Sequence, residues 1–275
     1  MKFIDNAFLI LKILVINSLP PKVIGSIKKF LGRRKFDEVD AVYDLLADKV
    51  NSKVMIDVGA HYGESLRSFL FDGWSIFAFE PDSENMRILK LLPTSRGKLV
   101  LDERGCSNKS AGNQNFFRSD VSTGISSLSS FDSSHVGAGT IDIVTITDYA
   151  KEKGITKIGF LKIDTEGHDL FVLQGVPWNE IKPEIIVAEF EDKKTRSLGY
   201  DYHEMAKLLS DQGYIVLISE WYPIVTYGGN HKWNRMERYP YILENENGWG
   251  NIIAVLDHEL AAILEENYLL PNNKK

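Results

Sequence analysis

The sequence is almost without cysteine, with one residue, Cys106, in 275. That excludes an intrachain disulfide and a zinc-finger framework. A chain with no use for an oxidising compartment reads as cytoplasmic. Long apolar runs are missing as well. The run AFLILKILV at residues 7–15 is interrupted by Lys12, and a spanning helix needs about 20 apolar residues. Pro20 and Pro21 follow it where a signal peptide would have a small-residue cleavage site, so a retained segment is expected. Basic residues are scarce after the first 35 positions. Residues 1–35 hold eight Lys/Arg against one Asp, whereas 36–275 hold 24 Lys/Arg against 37 Asp/Glu. An acidic body without a basic stripe argues against duplex nucleic acid as the partner, because phosphate contacts supply most of such affinity.

What remains is ordinary globular composition, 44% hydrophobic and 25% charged at 31.1 kDa. One large α/β domain over 51–275, preceded by an N-terminal helical arm over 1–50, fits this length. The arm has two readings. Lys22, Lys28, Lys29, Arg33 and Arg34 suit anionic headgroups, which would give peripheral membrane contact through residues 1–35 at the inner face of a membrane. The plainer reading is an arm docked on its own domain or on a second subunit of a homo-oligomer.

The chemistry begins at KVMIDV (53–58), a buried strand that runs into Gly59-Ala60-His61-Tyr62-Gly63-Glu64. Leu66, Phe69 and Leu70 then recur at helical spacing, which predicts a helix from about Glu64 whose N-terminal N–H groups and Gly59 leave room for a ligand. A second strand, SIFAF (75–79), ends in Glu80, placed to accept both ribose hydroxyls of an adenosine-containing cofactor. The dinucleotide fingerprint requires glycine where His61 and Glu64 stand. Asp57 and Glu64 better suit the cationic amino-acid end of S-adenosylmethionine.

A later strand, IGFLKI (158–163), leads into Asp164-Thr165-Glu166-Gly167-His168-Asp169 and a helix. The set MIDVGAHYGE, FAFEPD, GISSLSSF, LKIDTEGHDLFVLQG and IIVAEFED, spread in order over about residues 52–192, resembles the FkbM family of S-adenosylmethionine-dependent O-methyltransferases. The resemblance implies a Rossmann-like class I methyltransferase domain: a mostly parallel, doubly wound sheet with an antiparallel last strand, here Asn251 to Leu256. It also implies that Asp57, Gly59, Ala60, His61 and Gly63 wrap the methionine and ribose of the cofactor, that Glu80 holds the ribose, and that Cys106 and Ser107 lie near the adenine. For Cys106 the alternative is a small buried hydrophobe.

The family pattern does not fix the base. Asp164 and Glu166 alternate beyond one strand, and Glu189 and Glu191 alternate at the end of the next, so Asp164, Glu166 and Glu189 are expected to converge. In one mechanism His168 or Glu166 takes the acceptor's proton. In the other, Asp164 and Glu189 hold Mg²⁺ or a similar divalent cation that acidifies the hydroxyl.

A hairpin rich in Ser, Gly and Asn is expected at about 108–145, with Ser126, Ser127 and Ser129 offering hydroxyls to an acceptor. Residues 219–241 hold six aromatics (Trp221, Tyr222, Tyr227, Trp233, Tyr239, Tyr241) interleaved with Gly, Asn, His and Lys. That pattern suits a sugar stacking on rings, or an aromatic lid packed on the domain. The expected activity is O-methylation of a saccharide or glycoconjugate, such as a cell-surface polysaccharide or lipid-linked sugar. The alternatives are methylation of a polyketide or other secondary metabolite, and a catalytically silent cofactor-binding partner of a glycosyltransferase.

Overall fold

A computed structural model of the protein describes residues 36–119, 135–225 and 229–269, with Val23 and Leu128 besides. In chain order come α1 (Glu38–Leu46), β1 (Val54–Val58), α2 (Arg67–Phe71), β2 (Ser75–Phe79), α3 (Ser83–Leu89) and β3 (Lys98–Asp102). Then follow β4 (Gly105–Cys106), β5 (Ala111–Ser119), β6 (His135–Val144), α4 (Ile146–Lys153), β7 (Phe160–Ile163), α5 (Asp169–Gln174), β8 (Ile185–Glu191) and α6 (Asp192–Thr195). The chain ends with α7 (Tyr202–Asp211), β9 (Ile215–Trp221), β10 (Trp233–Arg238), β11 (Trp249–Val255) and α8 (His258–Tyr268).

The large sheet has the order β10-β9-β11-β8-β7-β1-β2-β3. β1, β2, β3, β7 and β8 are parallel, and β11 runs against both β8 and β9. This is the doubly wound sheet with a reversed last strand that the sequence predicts. The chain lays down β1, β2 and β3 in one direction and then returns to place β7 on the other side of β1. Such a reversal opens a crevice at the carboxyl ends of the two strands, the usual ligand site of open α/β sheets.

Both faces of the sheet are covered, which is why its parallel strands read as continuous apolar runs. Ile56 and Val58 of β1, with Leu161 and Ile163 of β7, pack in one core beside Tyr149 and Leu209. Met55 and Phe160 face the other core with Phe69, Trp74 and Leu264. Side chains alternate along a strand, so Asp57 and Lys162 share the face of Met55 and Phe160. There they are charged residues inside an apolar layer.

Two features depart from expectation, and a third follows the plainer reading of the arm. The helix expected from about Glu64 starts only at Arg67, because Gly63 turns the chain at φ +75° and Ser65 Oγ donates to Asp57 Oδ2 at 2.6 Å. The resulting five-residue helix offers no N-terminal ligand site. Residues 219–241 contain strand at both 219–221 and 233–238: β9 continues through Trp221, and β10 pairs antiparallel with it as an edge carrying Arg235 and Glu237, the charged pattern expected of an exposed edge. Trp233 stacks on Phe36 with ring centroids 4.4 Å apart. The last part of the 1–50 segment is built into the domain, with Val42, Tyr43 and Leu46 of α1 in the second core and buried Glu38 accepting from Ser219 Oγ and Trp221 Nε1, both at 2.6 Å.

The small sheet β4-β6-β5 contains the expected hairpin, β5 and β6. Arg118 of β5 clamps it to the large sheet through Asp82, with Nε and Nη2 at 2.5 and 2.6 Å from the two carboxylate oxygens. Ser126, Ser127, Ser129, Tyr227 and most of the basic arm at 1–35 lie outside the described residues. Among the described residues no helix is long and apolar enough to cross a membrane.

Candidate active site

At the end of β1 the chain bends at Gly59, φ +82°, where an added Cβ would stand 1.8 Å from the Asp164 carbonyl oxygen. Glycine is required there because the β1 and β7 loops touch. The N–H groups of Gly59 and Ala60 both donate to the Phe79 carbonyl at 3.0 Å, tying the loop to the end of β2. His61 has φ +48°, a conformation side chains other than glycine rarely adopt. Its N–H donates to Glu80 Oε2 at 2.8 Å, and the Asp82 N–H donates to Glu80 Oε1 at 2.8 Å. Glu80 is 5% exposed, and burial outweighs these bonds to push its carboxyl up to about 7. Burial likewise lowers the His61 imidazole despite nearby Asp164.

Beyond β7 the structure gathers charge. Lys162 Nζ donates to the Gly59 carbonyl at 2.6 Å and stands 3.4 Å from both Asp57 Oδ1 and Asp164 Oδ2. Asp57 is fully buried. Its oxygens face Lys162 and Ser65, so it braces the loop from beneath where a direct contact to the cofactor was expected. Asp164, Glu166 and Glu189 each bring an oxygen within 4.8 Å of the others. The convergence is as expected, but its cause is not strand alternation. β7 ends at Ile163, and Glu166 reaches the group through a left-handed turn at φ +57°, followed by Gly167 at +95°. The turn is held from behind: Asp169 accepts from the Thr165 and Gly167 N–H groups at 3.0 and 3.2 Å, and Tyr200 Oη donates to the Gly167 carbonyl at 2.9 Å.

Lys194 of α6 reaches into this group. Its Nζ donates to Glu166 Oε2 and lies 2.7 Å from Glu191 Oε2 and 3.7 Å from Glu189 Oε2. Burial pushes the Glu166 carboxyl up to about 7 against the pull of Lys194, and raises Glu189 well above the usual carboxylate range. Burial alone would discharge Lys194, but Glu189, Glu166 and Glu191 outweigh it and raise the ammonium's pKa.

His168 stands apart from this cluster. Its Nε2 is 3.0 Å from Ser107 Oγ, its ring lies against Phe171 with centroids 4.5 Å apart, and burial lowers it to about 4. Its Nδ1 has no hydrogen-bond partner among the described residues. Ser107 is buried, and Cys106 is packed in the core with its thiol pushed up by burial, as a small hydrophobe would be. Sequence reasoning missed Lys162, Asp169, Lys194 and Tyr200. A lysine between Leu161 and Ile163 in an apolar strand is a signal for Lys162; nothing local marks the others.

The aromatic stretch divides. Trp221, Trp233, Tyr239 and Tyr241 pack against the domain, Tyr241 Oη donating to Glu220 Oε2 at 2.6 Å. Tyr222 remains 41% exposed with Lys232 Nζ 4.8 Å above its ring. Trp249 pairs across the sheet with Glu191 and Trp221, and His231 stands edge-on to it at 5.2 Å.

A family description, Methyltransferase FkbM domain, matches residues 57–216, more than half of the chain. The chain belongs to the FkbM methyltransferase family. It is an S-adenosylmethionine-dependent methyltransferase, and the matched segment contains the glycine loop, Glu80, the Asp164–Glu166 turn, Glu189 and Lys194. No curated protein sequence matches this FkbM methyltransferase. Among solved structures it is similar to the precorrin-6y C5,15-methyltransferase of Geobacter metallireducens GS-15, at 14% identity over 80% of this chain and 87% of that one, TM-score 0.38. It is also similar to magnesium protoporphyrin IX methyltransferase of Synechocystis PCC 6803 with S-adenosylmethionine bound, at 10% identity over 80% and 78% of the two chains, TM-score 0.42.

Proposed function

We propose that this FkbM methyltransferase methylates a hydroxyl of a saccharide or glycoconjugate, with Glu166 as general base. The observation that carries the reading is the convergence of Asp164, Glu166 and Glu189 beside the glycine loop, at the carboxyl ends of β7 and β8. Methyl transfer is an in-line displacement, so the protein must align an acceptor oxygen and remove its proton as charge develops. When bound, S-adenosylmethionine supplies an electrophilic methyl group on a sulfonium centre.

Each residue then has a task. A carboxylate has about four acceptor positions, and Glu80, held by the His61 and Asp82 N–H groups, keeps capacity for the two ribose hydroxyls. The Gly59–Gly63 loop walls the cofactor, with Asp57 and Lys162 as its floor. Ser107 and His168 close the far end. Glu166, with a carboxyl at about 7, is matched to accept a proton near neutral pH, whereas His168 at about 4 is a poor base. Strain at Glu166, a non-glycine residue at φ +57°, is a recurrent feature of functional positions.

Asp164, Glu166 and Glu189 have the donor chemistry of a hard-cation site, but the Lys194 ammonium already pairs with two of them, Glu166 and Glu189. A divalent ion does not fit beside it, and no step here runs through one. The saccharide class is supported by Tyr222, Trp249, His231 and Lys232, rings and hydrogen-bonding groups near the carboxyl ends of β8 and β9, where Trp249 pairs with Glu191.

Incubation with methyl-labelled S-adenosylmethionine and a panel of glycans and lipid-linked sugars tests the proposal. Label in a base-stable ether on a sugar is the expected result. Label only in apolar secondary-metabolite hydroxyls would replace the substrate class, and tight cofactor binding with no methylated product would favour a silent partner.

A further inference from the structure

Asp164, Glu166 and Glu189 have the donor set of a cation site. Two of the three, Glu166 and Glu189, already face this chain's own Lys194. Lys194 has a side-chain exposure of 3%, and its Nζ contacts Glu166, Glu191 and Glu189. The surroundings are shaped for it. α6 begins directly after β8, so Lys194 lies three residues past Glu191 and turns back over the strand end. A Cβ on Gly167 would stand 3.2 Å from Lys194 Cβ, so the glycine in the Glu166 turn lets the lysine stem lie against that turn.

We infer that the Lys194 ammonium occupies the position of a divalent cation in this active site and acts as a positioning residue, neutralising Glu189 and orienting Glu166, so that the site excludes metal. The inference rests on the proposed role of Glu166 and deepens it. A divalent ion would have to coordinate oxygens that already surround a positive charge, and an ammonium cannot ligate a metal while it keeps its proton. The lysine offers one charge and three directional N–H donors where a metal would offer two charges and a coordination sphere. It therefore fixes Glu166 without acidifying the acceptor hydroxyl by direct bonding, leaving proton removal to the carboxylate.

The test uses Mn²⁺ alone as probe, with its free-ion electron paramagnetic resonance signal as readout. Wild-type protein should leave the signal unchanged. Lys194→Ala should take up about one Mn²⁺ per chain with a dissociation constant on the order of 0.1–1 mM, as loosely organised carboxylate sites do. Uptake should disappear again in Lys194→Ala/Glu189→Gln and be absent in Lys194→Arg, which keeps the positive charge. Mn²⁺ uptake by the wild type that Glu189→Gln abolishes overturns the inference. So does a folded Lys194→Ala, with unchanged circular dichroism, that takes up none. If Lys194→Ala does not fold, Lys194→Met keeps the stem volume and is read the same way, and the wild-type titration stands whichever variant folds. Calorimetric titration of the same proteins with S-adenosylmethionine keeps the two readings apart. Loss of cofactor binding in the wild type would fail the methyltransferase site while leaving the Mn²⁺ result intact.

Discussion

Glu80 gives the sharpest prediction, because its geometry is fixed by two backbone N–H donors and burial brings its titration into an accessible pH range. Its carboxyl is 5% exposed, held at 2.8 Å by the N–H groups of His61 and Asp82, and raised to about 7 by burial. Ribose hydroxyls that donate to it favour the charged form and lower its pKa in the complex. Binding below pH 7 must therefore release a proton. The proton from Glu80 should by itself make cofactor affinity climb about tenfold per pH unit up to about 7 and then level off, following linkage between the free and bound pKa values. A hydrogen bond to a charged group contributes about 1.5–3 kcal/mol, so Glu80→Gln should weaken binding at pH 8 by about 10–150-fold. The same substitution should remove the share of the pH dependence that Glu80 contributes, since glutamine does not titrate. Isothermal titration calorimetry with S-adenosylmethionine from pH 6 to 8, in buffers of different ionisation enthalpy, measures affinity and proton release together. Unchanged affinity in Glu80→Gln, or an equal pH slope in both proteins, would refute the assignment of Glu80 to the ribose.

Three further outcomes follow from the same geometry. Gly59→Ala places a methyl group 1.8 Å from a backbone oxygen at φ +82°; left-handed strain of about 1–2 kcal/mol and overpacking of about 1–3 kcal/mol add up, and urea denaturation showing less than about 1 kcal/mol lost would be inconsistent with the contact. Glu166→Gln should lower methyl transfer by about 10²–10⁴-fold with cofactor affinity little changed. The wild-type rate should rise with pH through about 7 as the base ionises, and a variant that retains full rate would move the base elsewhere. Lys162→Met leaves Asp57, 0% exposed, and Asp164 without their cation. Breaking one side of a buried pair costs about 3–5 kcal/mol, and a denaturation midpoint equal to wild type would show that the pair contributes nothing.

Much of this was legible in the sequence because buried parallel strands have a one-dimensional signature. KVMIDV, SIFAF and IGFLKI are apolar on both faces, so β1, β2 and β7 fall where predicted, and the carboxylates at their ends follow. Asp201 and Glu204 also mark the start of α7 through a capping box that the structure contains. The unreadable parts depend on contacts distant in sequence or on backbone that leaves regular structure. Lys194 enters the site only because α6 folds back on β8, and Glu166 only because its turn is left-handed. The aromatics of 219–241 misled for a related reason. β10 has one buried residue, Met236, among charged and polar neighbours, so neither alternation nor an apolar run marks it as a strand.

The two lysines also bear on how one site can serve both a cationic cofactor and a proton transfer. Asp57, Asp164, Glu166, Glu189 and Glu191 set five carboxyl groups against Lys162 and Lys194 at the ends of three adjacent strands. Lys162 serves the Asp57 side and Lys194 the Glu189 side, so each half of the crevice carries a fixed cation. Carboxyl groups remain in excess, and burial makes Glu166 and Glu189 reluctant to ionise. A positive charge arriving over β1 and β7 would stabilise their charged forms, by the effect through which an opposite charge within a few ångströms lowers a carboxyl pKa. Glu166 would then be most fully ionised while that charge is present, ready to accept a proton. Loss of the charge as the methyl group departs would raise its pKa again and keep the captured proton on the carboxyl. On this argument the base is armed by cofactor binding, and proton release measured at Glu166 should accompany binding in wild type and vanish in Glu166→Gln, separately from the release at Glu80.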